Sequence, residues 1–378
     1  MAFPVARSLP VLMYHSISRR ASSRAVAPEL FADQCASLVR AGWRSLSLAE
    51  AEEYFLRQGD LPRKTCLITF DDGYLDNYLH AAPILRHHGL TGVIFPVLAL
   101  MEKKRMRRSL EDAPFLDAAP TVYRKGQLVR AEYFCSAAEL REMMRQGDMT
   151  PAPHSLRHNR VAVSPEYTRL ALPGKERGYF SMPSYGALWG MPAFKLGHGL
   201  TSPAFRPSAR LVRLVRSQVP QEWNEAREYL AAARNRKRLH TSIQRLKDQG
   251  LLGGMESEAM YRARLFREFT ACRRRFSRLF GIAPVSFCWP WGDYNAIALE
   301  EAQRAGFRLF FTTAIGVNTA AQALGVHRFK VGSITGNRLL WQARALALRP
   351  VAALAVAWLR RYPNHPLTRW VREQDDDY

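Results

Sequence analysis

The stretch Leu67-Ile68-Thr69-Phe70-Asp71-Asp72-Gly73-Tyr74 constrains this chain more than any other. A β-type apolar run over residues 65–70 ends in two adjacent carboxylates and a glycine. Adjacent carboxylates repel, and a strand end offers them few partners. One reading is a strand-to-helix turn, with Asp72 as N-cap and Gly73 easing the bend. The other is a pair of working carboxylates, which needs partners elsewhere, and Pro153-His154-Ser155-Leu156-Arg157-His158 offers them. His154 and His158 are four residues apart, so one helical turn or tight loop puts both imidazoles within reach of one ion. Alone, that spacing is a weak signal. With Asp72 added it makes a two-histidine, one-carboxylate set that leaves positions open for water and substrate. Asp71 is then a candidate general base beside the metal, whose charge would relieve the repulsion between the aspartates.

Around these motifs the pattern alternates. Short strands are expected at 9–14, 43–47, 65–70, 91–97, 148–153, 285–289, 308–312 and 326–331. A helix is expected to start at 27–29, with Phe31, Cys35, Leu38 and Val39 at helical spacing, and others at 48–58, 74–88, 137–146, 258–280 and 295–305. Strands alternating with helices imply a parallel sheet of βα units. Seven or eight of them imply an α/β fold, a complete or distorted (β/α) barrel with its chemistry at the carboxyl ends of the strands. His15, Asp71, Asp72, His154, Trp291 and Thr312 all follow expected strands. Two stretches break the pattern and read as insertions on the catalytic face, 101–134 and 160–257. A catalytic domain over 1–335 is expected, followed by an amphipathic basic helical extension over 336–378.

The formal net charge is +22, and residues 201–280 hold 18 Lys and Arg against 7 Asp and Glu. Such a balance attracts phosphates, whether of nucleic acid, anionic lipid or a phosphorylated substrate. The five cysteines are scattered without a CxxC pair, which argues against a disulfide framework and fits a reducing compartment. Residues 1–12 lack the apolar core of a secretory signal. No window has the roughly 18 to 20 apolar residues of a spanning helix.

Thr69-Phe70-Asp71-Asp72-Gly73 and His154-Ser155-Leu156-Arg157-His158 resemble the first two motifs of the polysaccharide deacetylases of carbohydrate esterase family 4. Val11 to Ile17 resembles the opening strand of one branch of that family, the nodulation-deacetylase-like domains. Residues 287–295 (Phe-Cys-Trp-Pro-Trp-Gly-Asp-Tyr-Asn) resemble that branch's aromatic-Pro-Tyr-Gly stretch. The resemblance covers about 9–100, 135–160 and 260–331 and leaves the two insertions outside. It implies a distorted (β/α) barrel and hydrolysis of an N-acetyl group on an amino sugar. It implies a divalent metal, zinc first, held by Asp72, His154 and His158, with Asp71 as base. The Trp291 backbone N–H would serve the oxyanion, and Tyr74 and Trp291 would flank the substrate. Cys288 stands where the family often carries an Arg that tunes the base. The family's catalytic-acid His has two candidates here, His327 in Val326-His327-Arg328 and His15. Arg328 is a candidate substrate ligand, and His15 is otherwise a supporting residue near it.

The expected partner is an N-acetylated sugar, lipid-linked or nucleotide-linked, of envelope glycan synthesis. The expected location is cytoplasmic, peripheral on the inner membrane face. Residues 339–359 suit either an anionic membrane surface or an ordinary helix closing the domain. Two competitors remain open: a non-catalytic carbohydrate-binding relative, and a basic nucleic-acid binder, against which stands the lack of any recognised nucleic-acid module.

Overall fold

The computed structural model describes residues 7–19, 22, 24–101, 106–113, 116, 131–173 and 188–361. The basic run 103–105, the aromatic stretch 179–186 and the tail 362–378 lie outside them. The first half of the barrel runs β1 (Val11–Tyr14), a small parallel pair β2 (Ser16–Ile17) and β3 (Ala25–Val26), α1 (Pro28–Arg40), β4 (Arg44–Ser45) and α2 (Leu48–Arg57). It continues through β5 (Thr65–Asp72), α3 (Ala82–His87), β6 (Gly92–Pro96), α4 (Ala137–Gln146) and β7 (Met149–Pro151). The second insertion holds β8 (Arg160–Leu170), β9 (Pro192–His198), β10 (Phe205–Pro207), α5 (Ala209–Gln218), α6 (Trp223–Ala231), α7 (Ala233–Asp248) and β11 (Gly253–Met255). The barrel resumes with α8 (Glu258–Phe280), β12 (Ser286–Cys288), α9 (Ala296–Arg304), β13 (Leu309–Phe311) and β14 (Phe329–Lys330), followed by α10 (Gly336–Ala347) and α11 (Arg349–Arg361).

The parallel strands stand in the order β14-β1-β5-β6-β7, with β4 on the start of β5, and β12 pairs with β13. The two groups meet through single contacts. The Cys288 N–H donates to the Pro153 carbonyl at 3.0 Å, and Phe311 bridges to Val326. The result is a distorted barrel of seven strands that is not closed as a continuous ladder, as the alternation of elements implied. Strands buried on both faces read as unbroken apolar runs, which is why residues 65–70 show no polar alternation. Leu67 joins Val11, Val93, Phe95, Cys288, Leu309, Phe311 and Val326 in one buried cluster, with contributions from strands all round the barrel. Ile68 and Phe70 join the layer between strands and helices. The period of two therefore turns Thr69 and Asp71 to the same side as Leu67, inward.

Two capping boxes start helices where the sequence implied. Ser47 caps α2 through Glu50, and Ser136 caps α4 through Glu139. The helix expected over 74–88 runs unbroken from Leu75 to His87, with its winding loosened within. Pro83 has no N–H to give an earlier carbonyl, and the chain enters α3 through a π turn at Asn77–Ala81. The boundary expected at 335/336 cuts into the barrel. On α10, Leu339 and Ala343 are fully buried in the main core, and Gly336 N–H donates to Asp33 Oδ2 at 2.7 Å. In the first insertion Arg107 is fully buried against Glu139, with bonds of 2.8 and 2.9 Å. The second insertion has a core of its own that includes Met191, Phe194, Phe205, Leu211, Val215, Leu239 and Ile243. It is a subdomain rather than a loop. No described helix is long and apolar enough to cross a membrane.

Candidate active site

Parallel pairing of β5 with β1 sets Tyr14 against Phe70, so that His15, just past β1, and Asp71, near the end of β5, come side by side. Beyond Asp71 the chain turns sharply. Asp72 has φ 68° and Gly73 φ 78°, and a Cβ on Gly73 would stand 2.8 Å from Pro96 Cα. Only glycine fits there. Asp72 is 1% exposed, and neither carboxylate oxygen has a hydrogen-bond partner among the described residues. The N-cap reading of Asp72 therefore fails, because a cap accepts a backbone N–H.

His154 and His158 face Asp72 from the loop after β7. His154 Nε2 is 3.7 Å and His158 Nε2 3.8 Å from Asp72 Oδ1. The Nδ1 of His154 lies 2.9 Å from the Cys288 carbonyl, which can only accept. A proton therefore sits on Nδ1, and Nε2 is the ring nitrogen that faces Asp72. Ser155 Oγ accepts the His158 N–H at 2.8 Å, and both residues have positive φ, 67° and 49°. Non-glycine residues in that region are strained and persist where the surroundings hold them.

Two ligands about 2.1 Å from a tetrahedral ion sit roughly 3.4 Å apart. The spacings here are close to that and too long for hydrogen bonds, and all three ligand atoms lie within 4.8 Å of one another. Burial raises the Asp72 carboxyl above its usual range and lowers His158 well below its own. A buried carboxylate without donors among the described residues, facing two imidazoles, fits a divalent cation, which supplies the missing positive charge.

Asp71 lives differently. Arg328 Nη1 is 2.6 Å from its Oδ1 and Nη2 2.7 Å from its Oδ2, and Arg328 Nε donates to the Thr312 carbonyl at 2.7 Å. Burial alone would raise the Asp71 pKa, but the guanidinium outweighs it and holds the carboxyl well below the usual range. The arginine absent from position 288 is thus supplied from the residue just before β14. Cys288 itself is a buried thiol, pushed well upward by burial, with Sγ 3.8 Å from Asp71 Oδ1. This corrects the expectation that Arg328 binds substrate, since it is 1% exposed and fully engaged.

His327 is a second correction. His327 and Arg328 sit in the link between Val326 and β14. Arg328 turns inward to Asp71, and His327 lines a small cavity with Leu9, Pro10, Val11, Gly316 and Asn318, at the amino-terminal end of β1. His15 lies beside Asp71: its Nε2 is 4.0 Å from Asp71 Oδ2, and burial pushes its pKa down to about 3. Tyr74 stacks on Phe134 with ring centroids 5.2 Å apart, and Tyr74 and Trp291 pack on one cluster with Val97 and Leu100. Trp291 holds φ 56° and packs 4.1 Å from the His158 ring. His198, which no sequence motif marked, stacks on Trp291 at 4.3 Å.

Fold and site together define a distorted (β/α) barrel of the carbohydrate-deacetylase type. Residues 58–176 match the polysaccharide deacetylase family model. It is 43% identical over 90 residues to YxkH of Bacillus subtilis, assigned to the polysaccharide deacetylases, a match covering 24% of this chain and 32% of that protein. It is 22% identical over 325 residues to the poly-β-1,6-N-acetyl-D-glucosamine N-deacetylase of Escherichia coli, covering 85% of this chain and 36% of that one. The chain thus spans about a third of the length of these relatives. Among solved structures, a de-N-acetylase from Aggregatibacter actinomycetemcomitans aligns with TM-score 0.57 and 18% identity over 89% of this chain and 100% of that one. The BpsB deacetylase domain from Bordetella bronchiseptica aligns with TM-score 0.54 and 20% identity over 88% and 100%. At such identities the likeness concerns the fold.

Proposed function

We propose that this chain removes N-acetyl groups from an N-acetylhexosamine glycan, with a divalent cation, zinc in the first instance, held by Asp72, His154 and His158. Asp72 carries the reading: two buried oxygens without donors, facing two imidazole nitrogens, one residue from a carboxylate clamped by a buried guanidinium. When bound, the cation supplies Lewis acidity to the amide carbonyl and makes water easier to deprotonate. Arg328 keeps Asp71 ionised and fixed in place, so the carboxylate can take the proton of the attacking water. His15, uncharged at neutral pH and 4.0 Å away, is the group best placed to carry that proton to the leaving amine. The Trp291 backbone N–H serves the developing oxyanion, a role its held positive φ supports. Tyr74 and Trp291 flank the sugar. Because Arg328 does the work of the missing motif arginine, Cys288 no longer favours an inactive relative.

The substrate assigned is a lipid-linked or nucleotide-linked glycan of envelope synthesis, met at the inner face of the cytoplasmic membrane. The relative named for poly-β-1,6-N-acetyl-D-glucosamine supports the amino sugar. The charge of +22 and the exposed Trp341 and Leu354 beside Arg338, Arg344 and Arg349 support an anionic surface. Acetate release from lipid-linked, nucleotide-linked and free oligomeric N-acetylglucosamine, with and without chelator, tests the reading. Release that stops with chelator and in Asp71→Asn is expected. Release unchanged in Asp71→Asn would overturn the base, and no release from any of the three substrates would overturn the activity.

A further inference from the structure

The second insertion leaves the barrel at the catalytic face and returns to it there. β8 starts two residues after His158, and its first residue, Arg160, pairs with His198, the last residue of β9. His198 therefore stands at the base of the hairpin, beside the His154–His158 loop. The segment that follows is fastened at every carbonyl. Arg264 donates to the carbonyls of Gly199 at 2.5 Å and Ser202 at 2.8 Å. Tyr261 donates to Leu200 at 2.8 Å, and Asn295 Nδ2 to Thr201 at 3.0 Å. Gly199 N–H donates to the Asn159 carbonyl, so close that a Cβ on Gly199 would stand 2.5 Å from that oxygen. Such a segment has one position on the barrel, and it fixes His198.

The His198 ring lies parallel to the Trp291 indole, 8° between planes and 4.3 Å between centroids. Its Nδ1 is 2.6 Å from Asp293 Oδ2. The same indole meets the His158 ring and carries the Arg160 guanidinium 5.5 Å from its centroid. The turn beneath it cannot yield, because a Cβ on Gly292 would stand 2.1 Å from Thr313 Oγ1. A bulky residue at φ 56° needs such support.

We infer that the insertion is a wall of the active site, and that His198, locked by Asp293, is a positioning residue that holds the Trp291 indole against His158. Its kinetic consequence rests on the deacetylase reading, and its spectroscopic consequence does not. The experiment uses the full chain with His198→Ala, Asp293→Ala and the double variant, each with and without Trp291→Phe. Subtracting the Trp291→Phe spectra isolates the emission of Trp291, which a stacked imidazole perturbs. Both single variants are expected to change that emission and its quenching by acrylamide. The double variant is expected to match His198→Ala, because the pair acts as a unit. On oligomeric substrate, kcat/KM should fall about tenfold, the scale of a supporting residue one step from a ligand. An anchor that merely ties the insertion down would lower unfolding midpoints and leave Trp291 emission and kcat/KM unmoved. That result, or strictly additive effects of the two substitutions, overturns the inference. A wild-type protein that releases no acetate leaves the emission test intact.

Discussion

In the barrel and first insertion, Arg107 and Arg328 are at most 1% exposed, and each meets a carboxylate through two parallel hydrogen bonds. On α5 and α7 of the second insertion, Arg210, Arg213, Arg216, Arg234 and Arg238 are exposed and make no ion pair among the described residues. The formal charge counts both groups alike. The buried arginines are worth what their partners make of them, because an unpaired buried charge is costly. The exposed ones contribute little to stability and shape the outer field instead. Between the extremes stands Glu256, whose buried carboxylate joins Arg206 and Arg264 where the insertion meets α8.

The largest test of this contrast is Arg328→Met. It leaves Asp71 buried without its partner, and a loss of about 3–5 kcal/mol in unfolding free energy is expected. Turnover per folded molecule should fall by about 10²-fold or more as the base loses its alignment. Arg107→Met should cost a similar amount of stability, about 3–5 kcal/mol, read from denaturant unfolding, yet spare turnover in the folded fraction. Equal kinetic damage from both would erase the distinction between the two buried pairs. Zinc at a hundredfold excess over its dissociation constant should stabilise the chain by about 2.7 kcal/mol. The same titration of Asp72→Ala should show no such gain in melting temperature.

Glu256 gives a pH effect. Burial opposes its ionised form, but Arg264, the Ala204 N–H and Arg206 together lower its pKa in the folded state. A depressed carboxylate contributes stability above its unfolded pKa of about 4.3, and that stability is lost as pH falls through the folded value. The insertion should therefore loosen in acid, seen as proteolysis between α7 and α8, and Glu256→Gln should flatten that dependence. The smallest effect belongs to the exposed group. Arg213→Glu with Arg238→Glu should shift stability by no more than about 0.5 kcal/mol each, while weakening salt-sensitive adsorption to anionic vesicles. A large stability loss there would show that these side chains are structural after all.

Much of the barrel was legible because its signals are local. The apolar run before Asp71, the capping boxes at Ser47 and Ser136 and the four-residue spacing of His154 and His158 each depend on neighbours in the chain. Arg328 was not legible in its true role. Its bond to Asp71 spans 257 residues and exists only because β14 and β5 both flank β1. The choice between His327 and Arg328 turned on which way neighbouring residues face in the short link between Val326 and β14, which spacing in the sequence does not give. His198 was hidden for a similar reason: its meaning comes from pairing with Arg160 at the foot of a hairpin whose two strands lie more than twenty residues apart in sequence. The domain boundary near 335 was misread because α10 has an exposed, arginine-bearing side, and composition alone does not reveal that Leu339 and Ala343 are buried in the main core.

The fastening of residues 199–202 has a consequence for engineering. Both ends of the insertion are pinned within a few residues of the His154–His158 loop, one by covalent continuity with His158 and the other by side chains of α8 and by Asn295. The hairpin is therefore a socket with a fixed collar. Exposed residues of β8 such as Glu166, Thr168 and Arg169 can be exchanged while the collar keeps its registration and Leu170, Met191 and Phe194 keep the core, so the outer surface becomes a replaceable part.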